Sequence, residues 1–296
     1  MHRLAVVTAV ATFVLLLIGS VVHSTGSGLA CPDWSFIPLC HGQVLPPMQG
    51  GVFYEHGHRL FATGVGLLTI ALTVLTFRNR KADPFLAKLG IAALVIVCVQ
   101  GVLGGLTVLY QLPVAVSSAH LGTSMLVLCL FIYIAYRARP PGAKLGAPAP
   151  LRRWLGIALA LTYVQILVGA LVRHMRAGLA CLDWPFCQGE LWPAETSLGK
   201  LHMVHRMVAI VVAALVLFAA IRLARATRGK VRALALAACA VIALQVTLGV
   251  LSVTSYLALV IITAHLGVGA LLLALLWILW LLTIPGRAPV SATETA

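Results

Sequence analysis

Carboxylates are scarce in this chain. It has 7 Asp and Glu among 296 residues against 21 Lys and Arg, and charged residues of both signs make up only 9%. With 61% hydrophobic residues and a mean hydropathy of +1.04, a soluble protein of this length could not hide its apolar surface. Polar and apolar residues also fail to alternate within the apolar segments, which argues against the strands of a membrane barrel. What is present is a set of continuous apolar runs, each about 20 residues long and so able to cross a bilayer as a helix. There are eight, at 4–23, 55–76, 88–109, 115–136, 154–173, 200–221, 233–253 and 259–283. The sequence predicts an all-α membrane protein with eight transmembrane helices.

The first run follows Met-His-Arg, and "GLAC" at 28–31 has the look of a lipoprotein cleavage site. The same four letters recur at 178–181, deep in the chain, and the run is long for a signal peptide, so it is read as a helix.

The excess of basic residues suggests nucleic acid until its distribution is examined. Sixteen of the 21 Lys and Arg fall at one set of helix ends, from Arg3 through Arg78, Arg80 and Lys81, then Lys144 in the middle of the chain, to Arg287; the segment 24–54 has none. Positive residues mark the cytoplasmic side. The pattern places both termini in the cytoplasm and the loops 24–54, 110–114, 174–199 and 254–258 outside. The charge then reflects topology and anionic lipid, with no nucleic-acid partner.

The chain repeats itself. "GSVVHSTGSGLACPDW" (19–34) matches "GALVRHMRAGLACLDW" (169–184), "HGHR" (56–59) matches "MVHR" (203–206), "QGVLGGLTV" (100–108) matches "QVTLGVLSV" (245–253), and "AHLG" occurs at 119–122 and 264–267. Residues 1–136 and 154–296 are therefore two related units of four helices, joined by a Pro/Gly/basic cytoplasmic linker at 137–153. An even number of helices per unit makes the repeats parallel, related by a pseudo-two-fold axis along the membrane normal. Each is most simply a four-helix bundle.

Only two histidine pairs survive this comparison: His58 with His205, and His120 with His265. Each unit thus carries two histidines at matched depth, about one turn inside alternate helices. A lone membrane histidine often just hydrogen-bonds a neighbour, but a duplicated pair is poorly explained that way. Structural zinc needs four ligands, and no third or fourth repeats alongside. A haem iron needs only two imidazoles, and a bundle core has room for the macrocycle. Gly101, Gly104, Gly105 and Gly249, with Gly122 and Gly267 two positions beyond His120 and His265, would let a flat ring approach the backbone. Glycine is also common in membrane helix packing. Arg59 and Arg206 each follow a histidine and are possible partners for haem propionates, or snorkel to the outer headgroups.

The repeat also pairs the loop cysteines: Cys31 with Cys40, and Cys181 with Cys187. The outer face permits disulfides, either structural or redox-active. Asp33–Trp34 and Asp183–Trp184 follow the first cysteine of each loop, so the loops resemble lids, although tryptophan also anchors at membrane interfaces.

The halves differ at one telling place. Glu55 lies three residues before His58 and shares its helix face, whereas its counterpart in the second half is His202. His56 points elsewhere, to the rim. A carboxylate at the end of an apolar bundle is costly unless it is paired, as with Arg59, or used for proton transfer.

With these motifs in this order the chain resembles the heme A synthase family of cytochrome oxidase assembly, over nearly its whole length. The carriers are "EHGHR" on the second helix, His-Arg on the sixth, His-Leu-Gly on the fourth and eighth, and the loop cysteine pairs. The resemblance implies an oxidoreductase of the bacterial cytoplasmic membrane that hydroxylates a methyl group of heme O twice, the gem-diol then losing water to give the formyl group of heme A. It implies a heme O substrate on His58 and His120 in the first unit, a heme b cofactor on His205 and His265 in the second, and Glu55 as the catalytic residue. It further implies heme O synthase and an electron donor or acceptor as partners, and admits a homo-oligomer. Some relatives lack the second cysteine pair. The residues alone leave open a di-haem b-type electron-transfer cytochrome, or a haem transporter.

Overall fold

The computed structural model describes residues 1–35, 37–139, 149–193 and 196–284. Among them are eight long helices: α1 (His2–Ser24), α2 (Gly50–Arg78), α3 (Pro84–Leu109), α4 (Val114–Arg137), α5 (Ala149–His174), α6 (Ser197–Ala226), α7 (Gly229–Thr254) and α8 (Leu259–Thr283). All eight are long and apolar enough to cross a membrane. A short 3-10 turn, Ala177–Leu179, follows α5. Most of the linker 137–153, with Lys144, and also Arg287 lie outside the described residues.

Local chemistry sets the helix ends. Asp83 caps α3 by accepting from the Leu86 N–H at 3.0 Å, with Pro84 just inside the helix, and Thr196 caps α6 by accepting from the Gly199 N–H at 3.1 Å. Within the spans no water competes for polar groups, so Thr8, Thr12 and Thr69 return their hydroxyls to the carbonyl four residues back.

The helices close into two rings. Helix α1 packs on α2, α2 on α3, α3 on α4 and α4 on α1; α5 to α8 close in the same order. Where the rings meet, α1 touches α8, α5 touches α4, and α4 touches α8, so each helix has the neighbours its repeat counterpart has. The seam is dry and interlocked. Leu167 of α5 lies against Gly122 of α4, at 2.5 Å from where a Cβ would sit; Leu17 of α1 lies against Gly267 of α8 at 2.6 Å. These two glycines therefore receive leucines of the opposite ring and are not haem clearances as the sequence suggested. Two residues along a helix is more than half a turn, which points away from the histidine face. Trp277 Nε1 and the Tyr136 hydroxyl add bonds from α8 and α4 to the Cys129 and Leu281 carbonyls, each 2.8 Å. The buried side chains on this axis, including Met125, Phe131 and Leu273, form one apolar cluster shared by both rings.

Candidate functional site

The four paired histidines sit on one side of the molecule, the side that carries the disulfide loops. His58 and His205 lie eight residues inside the start of α2 and α6; His120 and His265 lie six residues inside α4 and α8. That is about 12 and 9 Å along the axis, deeper than the one turn expected, because α2 and α6 begin several residues before their apolar runs. His58 lies within electrostatic range of His120, and His205 of His265.

Each imidazole rests on a glycine of a neighbouring helix. A Cβ on Gly19 of α1 would lie 3.1 Å from His58 Nε2, and one on Gly104 of α3 would lie 3.4 Å from His120 Cε1. In the second ring a Cβ on Gly169 of α5 would lie 3.0 Å from His205 Cε1, and one on Gly249 of α7 would lie 3.2 Å from His265 Cε1. The cushions repeat with the histidines. Gly19 and Gly169 escaped the sequence reading although they open the longest repeated motif. Of the glycines singled out there, Gly104 and Gly249 meet histidines, Gly101 meets nothing within 4 Å, and Gly105 lies beneath the Trp34 indole, where no Cβ would fit.

The donors suit a metalloporphyrin. His120 Nδ1 and His265 Nδ1 are buried without a hydrogen-bond partner among the described residues, as are His56 Nδ1 and His202 Nδ1, a costly condition that a metal would relieve at the paired histidines. Two imidazoles per ring, with no carboxylate or thiol repeated beside them, match an axial haem pair.

Above the histidines lie the loops, stapled by Cys31–Cys40 and Cys181–Cys187. Both disulfides are as the repeat pairs them. Each loop turns back through two left-handed residues, His41–Gly42 and Gln188–Gly189, and closes on paired bridges Cys40–Gln43 and Cys187–Glu190. Asp33 accepts from the His41 and Gly42 N–H groups, and Asp183 from those of Gln188 and Gly189.

Arg59 and Arg206 are the clamps between helix and loop. Arg59 donates to the carbonyls of Asp33, Leu39 and Cys31 at 2.6–2.7 Å; Arg206 donates to those of Asp183, Phe186 and Cys181 at 2.6–2.7 Å. Both guanidinium groups are thus turned onto the loops.

Glu55 is 4% exposed and has both oxygens engaged. Oε1 pairs with Arg59 Nη2 at 2.6 Å and Oε2 accepts from the Cys31 N–H at 2.8 Å. Its counterpart His202 is also buried. His56 is not at the rim: it is 0% exposed, meets the Val44 carbonyl through Nε2 at 2.9 Å, and lies against the Cys31–Cys40 bridge. The 25-residue approach from α1 to α2 folds down over the helix end and covers it. Met203 takes the same place under the second disulfide.

Polar residues inside the spans that the sequence reading passed over are Gln100, Gln165 and Gln245. Gln165 Nε2 lies 3.0 Å from His205 Nδ1, and Gln245 Nε2 lies 3.5 Å from His265 Nε2. Amides in apolar runs were the available signal. A second cluster joins the rings: Arg173 of α5 donates to Ser20 and Ser24 of α1, His174 meets the Ser118 hydroxyl at 3.0 Å, and the His23 and His174 rings meet edge-on at 5.0 Å.

Comparison with known proteins gives the family. The family model for cytochrome oxidase assembly proteins matches residues 48–277. A heme A synthase of Symbiobacterium thermophilum is 32% identical across 99% of this chain and 100% of its own length. Heme A synthases of Shouchella clausii (33% identical, 94% of each chain) and Shewanella oneidensis (29%, 90% of this chain and 92% of the relative) are similar over nearly as much. A full-length relationship and a shared family model lead to one conclusion: the chain belongs to the cytochrome oxidase assembly family that contains the heme A synthases.

Proposed function

We propose that this protein oxidises a methyl group of heme O to the formyl group of heme A, with the chemistry in the ring α1–α4. The observation that carries the placement is an asymmetry. Both rings offer two imidazoles on glycine cushions, but among the described residues only the first has a buried carboxylate, Glu55, one helical turn before a histidine. Substrate heme O sits between His58 and His120, and heme b between His205 and His265. The units are 1–136 and 154–296, related by a pseudo-two-fold axis along the membrane normal. The basic residues at the opposite helix ends support cytoplasmic termini in a bacterial cytoplasmic membrane. Heme O synthase and an electron donor or acceptor would be the partners.

The resident heme b supplies one-electron redox chemistry when bound. The chain's own residues do the rest. His58 and His120, whose imidazoles rest on Gly19 and Gly104, would hold the substrate. Methyl oxidation releases protons, and Glu55, the one buried carboxylate among the described residues, would receive them or orient the methyl group or a water. A carboxylate has about four lone-pair sites, so the bonds to Arg59 and Cys31 leave capacity for a further donor. Those two bonds fix where the carboxylate points. Trp34, lying on Gly105, and the stapled loop exclude water from this end of the ring. Arg59, tied to loop carbonyls here, would serve propionates only by exchanging one of those bonds, as would Arg206.

A second reading is favoured by the same bonds: Glu55 acts as a strut that holds the loop. Glu55→Gln separates the two, since glutamine still accepts from the Cys31 N–H but carries no charge. The expected outcome is a folded, haem-loaded variant whose extracted pigment is heme O or a hydroxylated intermediate, with no heme A. Heme A at the wild-type level would reject the proton role and leave the strut. For the haem assignment, His265→Ala should remove one low-spin haem from the spectrum and leave the other; retention of both would reject it.

A further inference from the structure

Five of the 21 Lys and Arg lie toward the disulfide loops: Arg59, Arg173, Arg176, Lys200 and Arg206. Arg59 and Arg206 are engaged on loop carbonyls. A haem propionate would still need a cation at this end of the rings. Arg173 stands there with its charge unanswered. The ion pairs among the described residues are Glu55–Arg59 and Asp83–Arg137, and Asp33 and Asp183 hold the loop turns. No described carboxylate reaches Arg173.

Arg173 sits in the last turn of α5 and crosses the seam to the last turn of α1. Its Nη1 donates to the Ser20 hydroxyl at 3.1 Å, and its Nη2 to the Ser20 carbonyl at 2.8 Å and the Ser24 hydroxyl at 2.9 Å. These acceptors are neutral. They use three of the five guanidinium N–H groups and aim the fork, but they leave a full positive charge between membrane helices, where it is costly without an anion. A tether alone would need no charge. Beside it the His23 and His174 rings meet edge-on, and both Arg173 and the exposed Arg176 lie within electrostatic range of His23.

The repeat shows where this cluster belongs. Arg173, His174 and Arg176 correspond to His23, Ser24 and Gly26, so the permanent cations come only from the second unit. The hydroxyls that aim Arg173 come from the first. The place where they converge borders the first-ring histidines. Ser20 follows Gly19, the cushion of His58. Ser118, which meets His174, precedes His120 by two residues, and His174 lies within electrostatic range of His120.

We infer that Arg173, flanked by His23 and His174, is a carboxylate-binding site at the outer end of the seam, and that it receives a propionate of the haem held in the ring α1–α4. This rests on the proposed substrate site and adds what orients the substrate. Two axial imidazoles fix the iron but not the rotation of the macrocycle about the axis between them. A guanidinium on one edge fixes that rotation, and with it which methyl group is presented to Glu55. The second unit thereby completes the site of the first.

The test titrates the full-length protein in detergent, its second ring loaded, with ferric haem b and with haem b dimethyl ester, which keeps the iron and the macrocycle but has no carboxylate. The Soret band reports filling of the first ring. The wild type should bind the free acid about 10–100-fold more tightly than the ester, the range of a hydrogen bond to a charged group. Arg173→Gln, whose amide still reaches an α1 oxygen without a charge, should lose most of that preference by weakening the acid and not the ester. Arg173→Lys should recover part of it. An unchanged preference in Arg173→Gln would overturn the inference. Equal weakening of acid and ester would also overturn it, since that marks a tether. So would loss of a bound phospholipid from Arg173→Gln on native mass spectrometry with the haem preference intact, because the anion would then be a headgroup phosphate. His58→Ala with His120→Ala separates these results from failure of the haem assignment: it should abolish titration by both ligands, and a titration that persisted would remove the assignment itself.

Discussion

Trp34 and Trp184 occupy the same place in the two repeats and meet different fates. Trp34 lies down on Gly105 of α3. The counterpart of Gly105 is Val250, and Trp184 is left 60% exposed. A Cβ at Gly105 would run into the Trp34 indole, so the glycine is what admits that ring to α3. Gly105→Val should lift Trp34 from α3 and leave the second loop unchanged. Iodide quenching of the Trp34 fluorescence, isolated against a background lacking the other five tryptophans, should rise toward that of Trp184 in the matching variant. The same logic separates His56 from Met203. Each packs beneath a disulfide, but only the histidine places a titratable group there.

At the scale of elements, the loop and the helix below it are one unit. The disulfide loops enclose about ten and seven residues, so chain entropy contributes on the order of 2–3 kcal/mol each. Reduction should lower the denaturation temperature, and mass mapping of unreduced peptides should find the pairs Cys31–Cys40 and Cys181–Cys187. Arg59 and Arg206 add three charge-assisted bonds apiece to carbonyls that have few other donors. Arg59→Met removes about 1.5–3 kcal/mol per bond, which should show as faster amide exchange across 31–42 with the helices unaffected. The hairpin turns respond to acid. At Asp33 burial opposes ionisation, but the Gly42 and His41 N–H groups and the Arg59 charge outweigh it and hold the carboxyl below its ordinary value. At Asp183 the Gly189 and Gln188 N–H groups do so, with Arg206 behind them. A lowered folded value means the unfolded loop takes up protons first, so the turns are fully held above the ordinary carboxylate value of 3.8 and released as pH falls through the lower folded values. Amide exchange at Gly42 and Gly189, followed from pH 5 downward, should stay slow past 3.8 before it accelerates.

Over the whole molecule, the seam between the rings is the feature that joins the two histidine sites. Two reciprocal leucine–glycine contacts, Leu167 on Gly122 and Leu17 on Gly267, bring the backbones close. Arg173, with no carboxylate in ion-pair range among the described residues, ties α5 to the last turn of α1, where the unpaired carbonyls of the helix end favour a cation. Gly122→Leu should force α4 and α5 apart and cost about 1–3 kcal/mol by overpacking. The helices within each ring should remain intact, so circular dichroism should be preserved while thermal unfolding shifts down or splits into two transitions.

The sequence by itself determined the eight spans, the repeat, the four paired histidines and the cysteine pairing. Apolar length and internal matches are properties of the chain, and they need no knowledge of neighbours. Glu55 was legible as an asymmetry for the same reason. Only the tertiary structure decided what each residue touches. It sent Arg59 and Arg206 onto loop carbonyls, buried His56 beneath a disulfide, gave Gly122 and Gly267 to the seam and Gly19 and Gly169 to the histidines. Helical spacing names the face on which a residue lies but not the helix that face meets, and here any of seven other helices of similar composition could meet it. The pairing of Gln165 with His205 and of Gln100 with Thr123 was hidden for that reason. Each joins residues 23 or more positions apart through side chains whose amides could have bonded any nearby carbonyl. Packing selected the partner, because in a dry interior an amide must take the acceptor that the surrounding side chains leave within reach.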